Sequence, residues 1–353
     1  MREYGSEHPA VILPDGYFDS LRSLGREVAY LRSGREALLL ASIAASKKKE
    51  KVALLPAYCC WSMSAPFEKS GWTVVYYRLN EDLTVDLDYL KILLNSARTD
   101  AVLTMNYYGS ASTDEAVALV KSVDQRIVVI EDFSHCMFSV KQIHNPQVDI
   151  YVSSIRKSVG VCDGAIILSH IPLPIQYLQE AQPEFSGRRY AAQEEKKRYS
   201  YTKDQDVKKG FVDEIRACEV LLNDFSSIPP ISERALQMIR LLNGEHIAYA
   251  RRENMRHLMQ LLAGKIRMVP GLERCLDGAP FSLPILVNNR DEYQQKLAKA
   301  GVYAPVLWPI CEEAQKVCKV SAMMGEQMLS IPIDQRYDWD DMEEIAVRIL
   351  DIV

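Results

Sequence analysis

The chain has 353 residues, 48% of them apolar, and a formal net charge of −5. That length exceeds what one typical core supports, so two domains, or one large domain with a smaller appendage, are expected. So small a charge excludes binding to nucleic acid or to membrane surfaces driven by charge alone, which leaves a small-molecule partner. The eight cysteines, at 59, 60, 136, 162, 218, 275, 311 and 318, form no C-x-x-C pair and no zinc spacing. They read as reduced, mostly buried thiols, and no metal is expected. Met1 to Pro14 carries charges and prolines without an apolar h-region, and no run reaches the length of a membrane span, so a cytoplasmic location is expected.

From Arg26 to about Leu168, apolar strand-like runs alternate with amphipathic stretches, the pattern of a parallel sheet covered by helices. Near its start, Ser33 is placed to cap a helix that Gly34 opens, with Arg35 and Glu36 in the first turn and the apolar run Ala37 to Ala41 behind them. Amides at such an end can hold a phosphate, although many helices begin with Ser-Gly and bind nothing. Strands are expected at Val52 to Leu55, Thr73 to Tyr77, Ala101 to Met105, Ile127 to Ile130, Ile150 to Ser153 and Ala165 to Leu168. Several are continuous apolar runs, as strands covered on both faces should be. The turn Tyr58-Cys59-Cys60-Trp61 after the first of these offers either an aromatic face or simple core packing.

Ligands of open α/β sheets gather beyond the carboxyl ends of the strands. Beyond Ile130 stands Glu131-Asp132-Phe133-Ser134-His135, two carboxylates and a histidine, in which Asp132 serves a cofactor or caps the next helix. Beyond Ser153 stands Ser154-Ile155-Arg156-Lys157-Ser158-Val159-Gly160-Val161-Cys162-Asp163-Gly164. A lysine between two buried strands reaches solvent, pairs with an acid, or occupies a cavity where desolvation lowers its pKa, as in Schiff-base lysines.

Between Pro172 and Lys209 the composition turns polar, with Arg188, Arg189, Lys196, Lys197 and Arg198 clustered as a solvated face or a functional patch. Helices are expected over Phe211 to Phe225 and, as one long element, over Ala235 to Leu262. Beyond Pro270 follow Phe281 to Val287, a helix from Arg290 to Ala300, a short run from Gly301 to Leu307, Met328 to Pro332, and a last helix from Trp339, which together make a compact α+β tail. The division expected is a large domain over residues 1–235 and a linking helix with a small domain over residues 236–353.

Taken together, these pieces form one ordered set that pyridoxal phosphate (PLP) chemistry uses: amides for a phosphate, a stacking face, a carboxylate for the pyridine nitrogen, and a lysine. The sequence here resembles the sugar aminotransferase (DegT/StrS) family of PLP fold type I, over most of its length. The resemblance is carried by Ser33-Gly34, Pro56-Ala57-Tyr58, Tyr107-Tyr108-Gly109, Glu131-Asp132 with His135, Lys157 with Gly160, Asp163 and Gly164, and Leu329 to Asp334 followed by Asp341-Met342. It implies an α/β fold with a mainly parallel central sheet flanked by helices in the large domain, and a smaller C-terminal α+β domain.

The same resemblance implies that Lys157 bonds the cofactor, Asp132 partners the pyridine nitrogen, and His135 neighbours the ring hydroxyl or face. Ser33, Gly34, Arg35, Ser153 and Ser154 fall to cofactor binding, and Trp61 or Cys60 to stacking, with Trp61 favoured. Tyr58, Tyr108, Arg156, Arg188 and Arg336 are candidates for substrate contacts, since a guanidinium suits carboxylate and phosphate alike. Two departures stand out: Ser153-Ser154-Ile155-Arg156 replaces the family's Ser-Phe-His, and Glu184 to Arg189 occupies the region of its Asn-x-Arg-Met element. The expected activity is transfer of an amino group from an amino-acid donor such as glutamate to a keto acceptor, a sugar or nucleotide sugar, by a homodimer with shared active sites. The alternatives are another PLP reaction (dehydration, decarboxylation or side-chain cleavage) and an inactive homologue serving as a binding subunit.

Overall fold

The computed structural model describes residues 16–24, 27–96, 98–139 and 144–352. The segment read for targeting, Met1 to Pro14, lies outside the described residues. The strands are β1 (Glu27–Leu31), β2 (Val52–Pro56), β3 (Thr73–Tyr77), β4 (Ala101–Met105), β5 (Val128–Asp132), β6 (Ile150–Ser153), β7 (Ala165–Ser169), β8 (Arg267–Met268), β9 (Leu283–Leu286) and β10 (Met328–Ile331). The helices that matter below are α1 (Gly34–Ala45), α2 (Trp61–Lys69), α3 (Pro183–Thr202), α4 (Gln205–Leu221), α5 (Glu233–Arg240), α6 (Gly244–Leu262) and α7 (Trp339–Leu350). β1 to β7 form a seven-stranded sheet in the order β1-β7-β6-β5-β4-β2-β3. The expected α/β class with a mainly parallel sheet flanked by helices is therefore what the chain adopts.

Contacts divide the chain into two compact units, one holding Lys48–Val148 and Gly244–Val353 and the other holding Asp149–Asn243 with the described part of Glu7–Lys47. In the first unit, β2 pairs in parallel with β3 and β4, and β4 in parallel with β5. β4 is buried along its whole length because both its faces are covered, which is why it reads as an unbroken apolar run. The register sets Met105 opposite Asp132, so the segments that leave β4 and β5 start side by side. The same unit carries a small antiparallel sheet, β10-β9-β8, and ends in α7, whose capping box joins Asp338 and Asp341.

In the second unit, β7 pairs antiparallel with both β1 and β6. The polar stretch after Pro172 contains the 20-residue α3, and the basic cluster expected as a solvated face or a functional patch lies along it. Arg189 and Lys196 are buried there, whereas Lys197 and Arg198 are exposed. The long helix expected over Ala235 to Leu262 is two helices, α5 and α6. A tight turn breaks it, in which the Leu241 amide donates to the Met238 carbonyl, and Gly244 opens the second helix. The Gly301 to Leu307 run adopts no strand. All eight cysteines are free, and seven of them are buried.

Candidate active site

In the first unit, the carboxyl ends of the parallel strands gather Tyr58, the turn at Tyr107–Gly109, and Asp132 with His135. Asp132 is the last residue of β5 and only 4% exposed. Its Oδ1 accepts the Ser134 backbone N–H at 2.9 Å, so the carboxylate caps a turn and not a helix. That turn brings back His135, whose Nδ1 accepts the Tyr108 backbone N–H at 3.4 Å. Tyr108 sits in the left-handed region, at φ 57°, with Gly109 at φ 83° behind it. An Nδ1 that accepts assigns the proton of the neutral imidazole to Nε2.

Two aromatic rings stack on His135. Phe281 stacks on it with centroids 4.3 Å apart and planes 3° from parallel, and Trp308 lies 5.5 Å away at 26°. Tyr58 and Tyr108, read as substrate contacts, are fully buried, their hydroxyls 3.5 Å apart, and the Tyr107 hydroxyl donates to the Tyr58 carbonyl. Burial holds the phenols of Tyr58 and Tyr107 well above the ordinary range, so both stay neutral. Trp61 is different: it opens α2 with Cys60 as the residue before it, and it is 53% exposed. Beside Asp132, burial pushes Glu131 up to about 7, and Thr113 Oγ1 donates to its Oε2 at 2.7 Å.

The second unit joins the other sequence segments. Ser33 precedes α1 in an extended conformation, and its side chain does not cap the helix. A Cβ on Gly34 would lie 3.2 Å from the Cβ of Ser154, so glycine lets the start of α1 approach the end of β6 without pushing Ser154 aside. Next to Ser154, the Ser153 hydroxyl is fully buried and has no partner among the described residues. Lys157 ends a 3-10 turn (Ile155–Lys157) and is half-buried. The loop around it is tied to the Ser33-Gly34 segment, because the Gly164 N–H donates to the Arg32 carbonyl at 2.7 Å and the Ile155 N–H to the Gly164 carbonyl at 3.0 Å. Asp163 is occupied elsewhere, its carboxylate accepting both the N–H and the hydroxyl of Ser232 just before α5.

The arginines offered as substrate clamps each grip a carboxylate of the chain: Arg156 holds Glu219, Arg188 holds Glu214, and Arg336 holds Asp334 through Nε and Nη2 at 2.6 and 2.7 Å. Arg35 reaches Asn223 Oδ1 at 3.0 Å. The sequence reading missed the buried Arg32–Glu36 pair at the start of α1 and the part played by Glu219, Phe281 and Trp308. Only Glu36 had a signal, an acid in the first turn of a helix four residues beyond an arginine. The others meet their partners through long-range packing.

Among the described residues, no helix is long and apolar enough to cross a membrane, and no group of His, Cys, Asp and Glu is arranged for a metal ion. The chain matches no protein-family model and no curated protein. It does match solved structures over nearly its whole length. PseC of Helicobacter pylori, an aminotransferase involved in the biosynthesis of pseudoaminic acid, has a TM-score of 0.69 at 16% identity, with 99% of each chain covered. Spr1654 of Streptococcus pneumoniae, solved in PMP and PLP forms, has a TM-score of 0.68 at 13% identity, with 99% of this chain and 97–98% of its own covered. The sugar aminotransferase CalS13 of Micromonospora echinospora has a TM-score of 0.63 at 15% identity, with 99% of each chain covered. The chain therefore has the fold of these enzymes, PLP fold type I.

Proposed function

We propose that this chain is a PLP-dependent aminotransferase of the DegT/StrS type, carrying an amino group from an amino-acid donor, glutamate being the first to test, to a keto sugar or nucleotide sugar. One observation carries the reading: Gly34 lies against Ser154, the buried Ser153 hydroxyl has no partner among the described residues, and both adjoin the turn that bears Lys157. A small polar corner where a Cβ would crowd Ser154, next to the turn that bears a lysine, suits a phosphate on a group that the lysine bonds. Ser33, Gly34, Arg35, Ser153 and Ser154 are assigned to that phosphate.

PLP supplies an aldehyde for the amine and a ring that accepts electrons. The chain's residues do the rest. Lys157 Nζ would hold the cofactor and, as a free amine, would move a proton at the substrate carbon. Asp132 would keep the ring nitrogen protonated, and His135 would neighbour the ring hydroxyl or face. Trp61, exposed at the start of α2, has a flat face that a ligand can cover. The PLP and PMP forms of Spr1654 support the cofactor. PseC, CalS13, and DesI solved with its TDP-sugar product support the substrate class. A cytoplasmic homodimer with shared sites completes the reading.

The test is optical. Purified protein with PLP should show the visible band of protein-bound cofactor, Lys157→Ala should abolish it, and glutamate should bleach it. No band in the wild type overturns the reading in favour of a binding subunit. A band that no amino donor converts points to another PLP reaction.

A further inference from the structure

We propose that Glu219 is a positioning residue for Lys157, acting through Arg156, so that the α3–α4 hairpin belongs to the catalytic apparatus. The proposal rests on the reading of Lys157 as the cofactor-bearing lysine. α3 buries a face that carries Arg189, Gln193 and Lys196 among Phe185, Ala192 and Tyr199. A buried polar face is stable only if its groups are paired.

Two of these groups lead to the Lys157 loop, Arg189 through Glu219 and Gln193 directly. Arg156, one residue before the lysine, donates from Nη1 and Nη2 to Glu219 Oε1 and Oε2 at 2.5 and 2.9 Å, a two-pronged grip. Arg189 donates to the same Oε1 at 2.6 Å, which ties α3 to α4 at that point. Beyond the lysine, Gln193 Nε2 donates to the Val161 carbonyl at 3.2 Å. The hairpin thus holds the loop on both sides of Lys157.

The charges matter as much as the geometry. Burial acts to raise the Glu219 carboxyl, but Arg156 and then Arg189 outweigh it and, with Arg35 also near, hold it at about 2. It is therefore ionised throughout the working range, one carboxylate facing three guanidiniums. Removing its charge leaves Arg156 without its fork partner and makes the surroundings of Lys157 more positive. Both changes act on the amine of Lys157.

The test reads Lys157 itself. In the cofactor-free full-length protein, the rate at which Lys157 is acylated at one near-neutral pH is followed by mass spectrometry. Glu219→Gln, which takes a negative charge from beside Arg156, should raise that rate about threefold, and Glu219→Asp should bring it part of the way back. Phe211→Ala, which loosens the far end of the hairpin without changing its charge, should lower the melting temperature and leave that rate where it was. If Glu219→Gln does not melt cooperatively, Arg156→Gln replaces it, and the rate should fall. An unchanged rate in the charge variants, or an equal change in Phe211→Ala, overturns the proposal. The visible band with PLP is recorded in parallel: a rate change in a protein that never shows the band defeats the cofactor reading and leaves the coupling standing.

Discussion

The imidazole of His135 and the ring of Phe281 lie face to face, centroids 4.3 Å apart and planes 3° from parallel. Since the Tyr108 N–H occupies Nδ1, the stack fixes the plane in which Nε2 points. Phe281→Ala should therefore do two things. It should lower stability by about 2–3 kcal/mol, less than a fully enclosed phenylalanine loses, as read by urea unfolding. It should also broaden the His135 Nε2–H resonance, which the conservative Phe281→Leu leaves sharper. An unchanged resonance in the alanine variant would mean that the stack does not orient the ring.

Phe281 is itself held by a buried cation. Arg251 is 2% exposed, and its Nη1 donates to the Phe281 and Pro280 carbonyls at 2.9 and 3.3 Å while Nε donates to Gln335 Oε1 at 3.0 Å. Burial brings its guanidinium down to about 10, with Asp334 opposing the shift. Arg251→Met keeps the volume and strips donors from buried carbonyls, so a loss of about 3 kcal/mol is expected. The His135 resonance should move with it, and a variant that loses stability while His135 stays unchanged would separate the two.

Glu131 makes stability depend on pH in a direction opposite to most carboxylates. Its folded pKa of about 7 lies above the ordinary 4.5, so between those values the folded state holds a proton that the unfolded chain has released. Stability from this group is full below about pH 4.5 and is lost as pH rises through 7, by about 3 kcal/mol in all. Glu131→Gln, which keeps an acceptor for Thr113, should remove that slope and be the more stable protein at pH 8. Parallel pH profiles for the two proteins would refute the assignment.

Where periodicity and burial agree, the fold is legible in the residues. β4 and β7 are unbroken apolar runs because both faces are covered, and Ser33-Gly34 before Ala37 to Ala41 announces α1. β1 was not legible, since Glu27–Leu31 is mostly only half-buried and mixes charged with apolar residues. α3 escaped for the opposite reason: its buried face carries arginine, glutamine and lysine, and a pattern built on apolar spacing cannot register it. The site divides the same way. Asp132, His135 and Lys157 stand next to strand ends, where local sequence marks them, whereas Glu219 lies in the last turn of an ordinary amphipathic helix and meets Arg156 only through the fold.

Gly34 separates a structural from a ligand role most cleanly. It opens α1 without a left-handed φ, so alanine is compatible with its backbone and, as a better helix former, contributes up to about 1 kcal/mol. Against that stands the added Cβ, 3.2 Å from the Ser154 Cβ, a contact that a few tenths of an ångström of movement relieves. The two effects nearly offset, and the melting temperature of Gly34→Ala should lie within a few degrees of the wild type. The movement nonetheless pushes Ser154 away from the corner assigned to the phosphate, so PLP affinity should fall about tenfold or more, an energy of ~1.4 kcal/mol. Inorganic phosphate, which competes for that corner, should lose its protection against PLP binding in the same variant. Unaltered PLP affinity in a normally folded Gly34→Ala would place the phosphate elsewhere.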